Sequence, residues 1–180
     1  MPKLKLAPAG AAVLASMLIL TSCTQNEVLS TLQASVAATE ILVASLEAGG
    51  KIPAGTTVIL ANAIVDLPEA YRQTVAELDN LKDDAALRAV KIASYFAPTV
   101  LRLNLLPADA QVYSAAIAAS IRVFIDALST AQRQYALTVS TGKGKVVAIP
   151  VAGLKAVDQR AVVLGAKLAK VLAAQKLAHP

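Results

Sequence analysis

Three stretches of this chain repeat mostly apolar residues at alternating spacings of three and four. The first stretch contains Leu29, Leu32, Val36, Thr39, Val43 and Leu46. The second contains Ile117, Ile121, Phe124, Leu128, Ala131 and Tyr135. The third contains Leu154, Val157, Ala161, Leu164, Leu168 and Val171. This spacing places each set on one stripe of a helix, and short connections between such helices favour antiparallel packing around a shared core. The sequence therefore predicts an all-α antiparallel helical bundle of four to six helices.

Composition supports a folded helical chain. Hydrophobic residues make up 56% of the 180 residues, aromatic residues 3%, and there is no tryptophan. This is far too apolar for a disordered chain, and alanine, the dominant residue, is the best helix former.

Capping residues and helix breakers predict where the helices begin and end. Asn26 is a good cap for the first helix, and Gly49-Gly50 ends it after Ala48 because glycine tolerates left-handed backbone. The segment Asp66-Leu67-Pro68-Glu69 combines an Asp cap, a proline in the first turn and a glutamate, so it predicts a new helix start.

The middle of the chain contains two further predicted helices. In the first, Leu87, Val90 and Phe96 are expected to face inward, and Pro98 is expected to kink or end the helix. Pro107 opens the longest helix.

That longest helix is apolar enough over residues 112–128 to suggest a membrane span. Arg122 and Asp126 lie within this window and would each be costly in lipid. A buried helix of the bundle is therefore the better interpretation.

The N-terminus carries the marks of an export signal. Lys3 and Lys5 precede an apolar run from Ala7 to Leu20, which ends at polar residues. A charged start, a short apolar core and a cleavage site of small residues are typical of a secretory signal. A permanent transmembrane helix needs about 20 apolar residues, and this run is shorter.

The end of that run, Leu20-Thr21-Ser22-Cys23, resembles the lipobox of bacterial lipoproteins. The resemblance implies that a diacylglyceryl group is attached to the Cys23 thiol and that the chain is cut just before it. Residues 1–22 would then be a cleaved signal peptide, and residues 23–180 a single helical bundle domain. Two or more acyl chains anchor a protein stably. Cys23 is the only cysteine, so lipidation also accounts for an odd thiol in an exported protein.

The residues after Cys23 bear on location. Thr24 and Gln25 alone separate Cys23 from the predicted cap, so the bundle is expected close to the bilayer. In lipoprotein families that sort by the second residue, a residue other than Asp, here Thr24, implies an outer-membrane lipoprotein facing the periplasm; the rule varies between bacteria.

Charge is divided unevenly along the chain. Residues 23–110 carry six Lys/Arg and ten Asp/Glu, whereas residues 111–180 carry nine Lys/Arg and two Asp/Glu. Two interpretations remain open: the acidic and basic halves pack side by side, or the basic half forms a surface that faces a membrane. A nucleic-acid partner is not expected, because no aromatic residues for base stacking alternate with the basic ones.

The last predicted helix carries the candidate membrane contacts. Five basic residues accompany its apolar stripe: Lys155, Arg160, Lys167, Lys170 and Lys176. A basic amphipathic helix can lie on anionic lipid. Alternatively, its apolar side completes the core while the basic residues face water.

The sequence gives little sign of catalytic or metal chemistry. His179 is the only histidine and lies near the C-terminus, so no His/Cys metal site, catalytic triad or cofactor is expected. Gly142-Lys143-Gly144-Lys145 lacks the spacing of a phosphate-binding loop. The sequence predicts a non-enzymatic cell-envelope lipoprotein that acts as a structural or protein-interaction module, with an envelope protein or a second copy as partner. The alternative is a periplasmic carrier that binds a small apolar ligand or lipid between its helices.

Overall fold

The computed structural model describes residues 9–49, 52–79, 85–140 and 149–178, and the side chains of 26–49, 52–79, 88–134, 149–175 and 177. Within these residues the chain forms six α-helices and no β-strand. The helices are α1 (Ala9–Ala48), α2 (Ala54–Ala63), α3 (Leu67–Asp79), α4 (Ala85–Asn104), α5 (Ala108–Ser140) and α6 (Val151–Ala178). The predicted all-α helical bundle is confirmed.

Five of the helices form a closed ring. Going round the ring, α1 packs on α5, α5 on α4, α4 on α3, α3 on α6, and α6 on α1. The short helix α2 contacts α1, α4, α5 and α6, and it closes the end of the ring where α1 ends and α3 begins.

Neighbouring helices in the ring are antiparallel with one exception. Along α6, Asp158 pairs with Arg72 of α3, and Gly165 lies against Pro68, so the numbering of the two helices runs in opposite directions. Helices α1 and α6 run in the same direction, because their two ion pairs advance together by seven residues, Glu40 with Arg160 and Glu47 with Lys167. An odd number of helices cannot alternate around a closed ring, so one parallel pair is unavoidable.

The predicted stripes form the core. The α1 and α6 stripes are buried at every position, and in α5 the stripe is buried from Ile117 to Leu128 and half-buried at Ala131. The side chain of Tyr135 lies outside the described residues. At the centre, Phe96 packs its ring 5.6 Å from those of Tyr71 and Phe124, centroid to centroid. These contacts join α3, α4 and α5, and edge-to-face pairs of this kind add to the stabilisation from burial.

Two predicted helix boundaries agree with the structure. Helix α1 ends at Ala48, and Gly49 adopts a left-handed backbone with φ of 65°. A short break over residues 64–66 separates α2 from α3, where the Asp66 carbonyl accepts a hydrogen bond from the Ala70 amide.

Two local predictions are wrong. Asn26 does not cap a helix start, because α1 runs through it; no Gly or Pro interrupts the chain from residue 11 to residue 48. Val90 is 68% exposed, because the buried stripe of α4 passes through Ala89 instead. Pro98 lies inside α4, which continues to Asn104, so it does not end the helix, and the alternative of a kink stays a prediction. The side chain of Leu87 lies outside the described residues.

Candidate functional site

Cys23, the candidate lipid-attachment residue, lies within α1. Among the residues whose side chains are described, the first buried one is Val28, which is 1% exposed and lies five residues after Cys23. Five residues of α-helix rise about 7–8 Å. The backbone at Cys23 is therefore joined to the bundle by little more than one helical turn, and the segment after it is helical rather than extended.

One of the five candidate basic residues, Arg160, is held against α1. Its Nε donates to Oε1 of Glu40 at 2.9 Å, and its Nη2 donates to Oε2 at 2.6 Å. Two parallel hydrogen bonds to one carboxylate fix the orientation of both groups. The Arg160 hydrogen bonds lower the pKa of Glu40 against the opposing effect of its burial.

The other four basic residues fall into different settings. Lys167 Nζ lies 3.9 Å from Oε2 of Glu47 on α1. Lys155 and Lys170 are exposed and have no ion pair among the described residues. The side chain of Lys176 lies outside the described residues. The basic helix thus divides into cations that pair with α1 and cations that face water.

The uneven charge of the two halves is partly explained by this packing. Basic α6 lies beside acidic α1, and opposite charges pair across their line of contact. A third pair joins Arg72 Nε of α3 to Oδ1 of Asp158, 3.5 Å apart. The two halves therefore pack side by side, while Lys155 and Lys170 remain available to a surface.

The partners of these cations were missed in the sequence. Glu40 and Glu47 are seven residues apart, as are Arg160 and Lys167. Each glutamate directly follows a residue of the α1 stripe, and each cation directly precedes a residue of the α6 stripe. In parallel coiled coils these flanking positions form interhelical ion pairs, so the shared spacing was a usable signal.

Among the residues whose side chains are described, two helical stretches are long and apolar enough to cross a membrane, Asn26–Ala48 and Ala108–Gln134. Length and composition are the only evidence for a span, and 44% of the first window and 33% of the second are buried inside the bundle. In the second stretch Arg122 and Asp126 are exposed on the outside of α5. Both stretches serve as core helices here.

A polar cluster is buried beneath α3. The Tyr71 hydroxyl lies 2.8 Å from the Ser35 hydroxyl and 2.9 Å from the Thr39 hydroxyl, and it donates to the Ser35 carbonyl at 3.0 Å. All three residues are fully buried. Burial raises the pKa of Tyr71 to about 12. The Tyr71 hydroxyl makes its hydrogen bonds to residues of α1 within the cluster. We therefore assign Tyr71 a structural role, in which it joins α3 to α1, and no catalytic role.

A second polar cluster lies at the surface between α3 and α4. Glu77 accepts a hydrogen bond from the Tyr95 hydroxyl at 3.0 Å, and Lys91 Nζ lies 2.5 Å from the same Oε1 atom. The Lys91 hydrogen bond lowers the pKa of Glu77. An ionised carboxylate held by a cation and a phenol acts as a link between helices.

A groove of about 490 Å³ opens to solvent at the end of the bundle closed by α2. Its volume is within the range of small-molecule sites. The groove is mostly apolar and is lined by Leu46, Gly49, Ile52, Pro53, Ala54, Thr57 and Gln175. The middle of the bundle is filled by aromatic rings, which leaves this groove at its end.

Within the described residues, no three His, Cys, Asp or Glu side chains are grouped as a metal site would require. Comparisons with protein-family models, with curated proteins and with solved structures find no match to this chain.

Proposed function

We propose that this chain is an exported lipoprotein, anchored through Cys23, that serves as a non-enzymatic structural or protein-interaction module beside an envelope membrane. The observation that carries the proposal is the lipobox-like segment Leu20-Thr21-Ser22-Cys23 placed one helical turn before the bundle. A helix that passes directly from the anchor into the core would hold the bundle close to the bilayer. The outer membrane, facing the periplasm, is the proposed destination because Thr24 follows the cysteine.

Intact mass and fractionation test the anchor. When the full chain is produced in a bacterium, we expect a membrane-bound protein that begins at Cys23 and carries acyl chains. Cys23→Ala should remain unprocessed and carry no acyl mass. Ser30→Ala, an exposed change on the same helix, is the matched control and should behave as the original chain. A membrane-bound protein with an unmodified Met1 would contradict the proposal.

Density-gradient separation of the two membranes tests the destination. The original chain should be found with the outer membrane, and Thr24→Asp should move it to the inner membrane in a host that sorts by this residue. An original chain that stays in the inner membrane would refute the proposed location and leave the anchor untouched.

The groove favours a second candidate function, that of a carrier for a small apolar ligand or lipid. A ligand that binds only the folded state raises the melting temperature, and the shift grows with the ratio of its free concentration to its Kd. Ala54→Trp introduces a large side chain into the groove and should abolish this shift. Ala97→Trp, at an exposed position of α4, is the control and should preserve it. A protein purified without any lipid and stabilised by none of the apolar ligands tested would exclude the carrier.

A further inference from the structure

The outward side of α1 carries no charge over most of its length. From residue 28 to residue 48, the exposed residues of α1 other than Glu47 are Ser30, Ala34, Ile41, Ala44 and Ala48, here called the outer face of α1. From Val28 to Gly49 the only charged residues of α1 are Glu40 and Glu47, and both pair with α6. Ile41 is 69% exposed. An uncharged helix face can lie against an apolar surface without burying an unpaired charge.

The candidate anchor shares the register of this face. Cys23 precedes Ile41 by 18 residues of continuous helix, which is about five turns at 3.6 residues per turn. The two residues therefore occupy the same position of the helical repeat.

Helix α6 continues this surface and adds positive charge. Next to the ion pairs with α1, its outward side presents Val163, 55% exposed, and Leu177, 84% exposed. Lys155 and Lys170 are exposed on the same outward side. The single acid of α6, Asp158, is on the opposite edge and pairs with Arg72. Apolar residues flanked by lysines are complementary to an anionic lipid surface.

The ion pairs remove the acidic charge that would otherwise oppose such contact. Glu40 and Glu47 lie between the outward sides of α1 and α6, and Arg160 and Lys167 neutralise them. The remaining exposed acid on this side is Glu27, in the turn after Cys23. The surface as a whole is therefore apolar with a positive rim.

We propose that the bundle lies side-on against an anionic phospholipid bilayer, with Ile41 and Val163 at the lipid boundary and with Lys155 and Lys170 at the phosphate groups. This inference rests on the proposed attachment of lipid at Cys23. It goes further by naming the face that meets the membrane and by giving the unpaired lysines of α6 a partner. The ring places α4 on the side farthest from the membrane.

Single introduced cysteines test the orientation, because acylation blocks the only natural thiol. The test positions are Ile41→Cys and Val163→Cys. The controls are Val90→Cys and Leu101→Cys on the outward side of α4; Val90 is 68% exposed, which matches the 69% of Ile41. Each lipidated protein is labelled with a small thiol-reactive fluorophore and reconstituted into vesicles of phosphatidylethanolamine and phosphatidylglycerol. Emission is measured with spin-labelled phospholipid and, separately, with aqueous iodide as quencher.

We expect the spin-labelled lipid to quench most of the emission at Ile41 and Val163 and little at Val90 and Leu101, with the opposite order for iodide. Equal lipid quenching at all four positions would overturn the side-on orientation. Protection of Ile41 from both quenchers would also overturn it, because a protein, such as a second copy of this chain, would then cover the face. The original chain is a separate check: labelling of Cys23 would refute its acylation whatever the orientation.

Discussion

Glu40 of α1 and Arg160 of α6 form a two-point contact between the first and the last helix of the chain, with donor–acceptor distances of 2.9 and 2.6 Å. The contact joins residues 120 positions apart in the sequence. The second pair, Glu47 with Lys167, repeats it one heptad further along with a single distance of 3.9 Å. Together the two pairs show the parallel register of α1 and α6.

A double-mutant cycle on Glu40→Gln and Arg160→Gln should give a coupling free energy of about 0.5–1 kcal/mol. The value is modest because the two side chains are 37% and 36% exposed, so water screens the pair. The same cycle on Glu47→Gln and Lys167→Gln is the control and should be close to zero, since its geometry is looser. Urea unfolding provides the measurement. Equal coupling in both cycles would contradict the importance of the two-point geometry.

The Glu40–Arg160 pair predicts that the free energy of unfolding decreases at acid pH. Arg160 holds the pKa of Glu40 below its ordinary value of 4.5. A carboxyl with a lowered pKa in the folded state stabilises the fold above pH 4.5, and this contribution is lost as the pH falls below that value. Urea unfolding between neutral and acid pH should show a smaller acid loss in Glu40→Gln than in the original chain. An identical loss in both would show that the pair does not carry the effect.

Tyr71→Phe should destabilise the protein by about 1–2 kcal/mol at neutral pH, because the buried Ser35 hydroxyl loses a hydrogen-bond partner. Burial raises the pKa of Tyr71 from 10.0 to about 12. The raised pKa means that its contribution is complete below pH 10 and is lost as the pH rises toward 12. Tyr71→Phe should therefore show a weaker alkaline decline in unfolding free energy. Tyr113→Phe, at an exposed position, should leave neutral-pH stability unchanged, and equal losses in the two variants would contradict the assignment.

Two glycines of α6 should respond oppositely to alanine. A Cβ at Gly165 would meet Pro68 Cβ at 3.4 Å, an ordinary contact, so Gly165→Ala should stabilise by about 0.5–1 kcal/mol through helix propensity. A Cβ at Gly153 would overlap the Cδ2 methyl of buried Leu29. Gly153→Ala should therefore destabilise by about 1–2 kcal/mol. Thermal unfolding measures both, and a stabilised Gly153→Ala would show that Leu29 can move aside at little cost.

Thr99 and Thr74 form a second contrasting pair. Both are fully buried, but the Thr74 hydroxyl donates to the Ala70 carbonyl at 2.8 Å, whereas the Thr99 hydroxyl has no partner among the described residues. Thr99→Val should stabilise the protein by about 1 kcal/mol, because it removes a buried polar group without a hydrogen bond. Thr74→Val should be neutral or destabilising. The prediction is wrong if urea unfolding gives the same change for both variants.

Much of the fold could be predicted from residue spacing alone. The stripes of α1 and α6 are buried at every predicted position, since an alternation of three and four defines one side of a helix wherever that helix packs. The same logic fails for a single residue such as Val90, because one step along a helix turns the side chain by about 100°. In α4 that step carries the side chain from the core to solvent.

The arrangement of the helices could not be predicted in the same way. Periodicity states that a helix has an inward side, but not which helices share it. Nothing in the separate stripes required α1 to lie beside α6. Glu40 and Glu47 have the same spacing as Arg160 and Lys167, and this match indicates that α1 lies beside α6. The match is noticed only when these two distant helices are compared as a parallel pair.

The sequence predicted the candidate site as a set of basic residues on one helix. The structure shows that these residues have different environments. Side chains such as Arg160 and Lys155 are equivalent in a count of charge, yet one is held by a carboxylate and the other faces water. The difference depends on which edge of α6 meets α1. A count of basic residues cannot distinguish these edges, because each helix has two neighbours in the ring.

The contacts of α1 lie far along the chain, and this has a consequence for how the molecule is made. Helix α1 packs mainly on α5 and α6, so the earliest segment to leave a ribosome has little to fold against until those two helices follow. Contacts between such distant parts form late. A nascent chain of this design becomes compact only when its last two helices have been made.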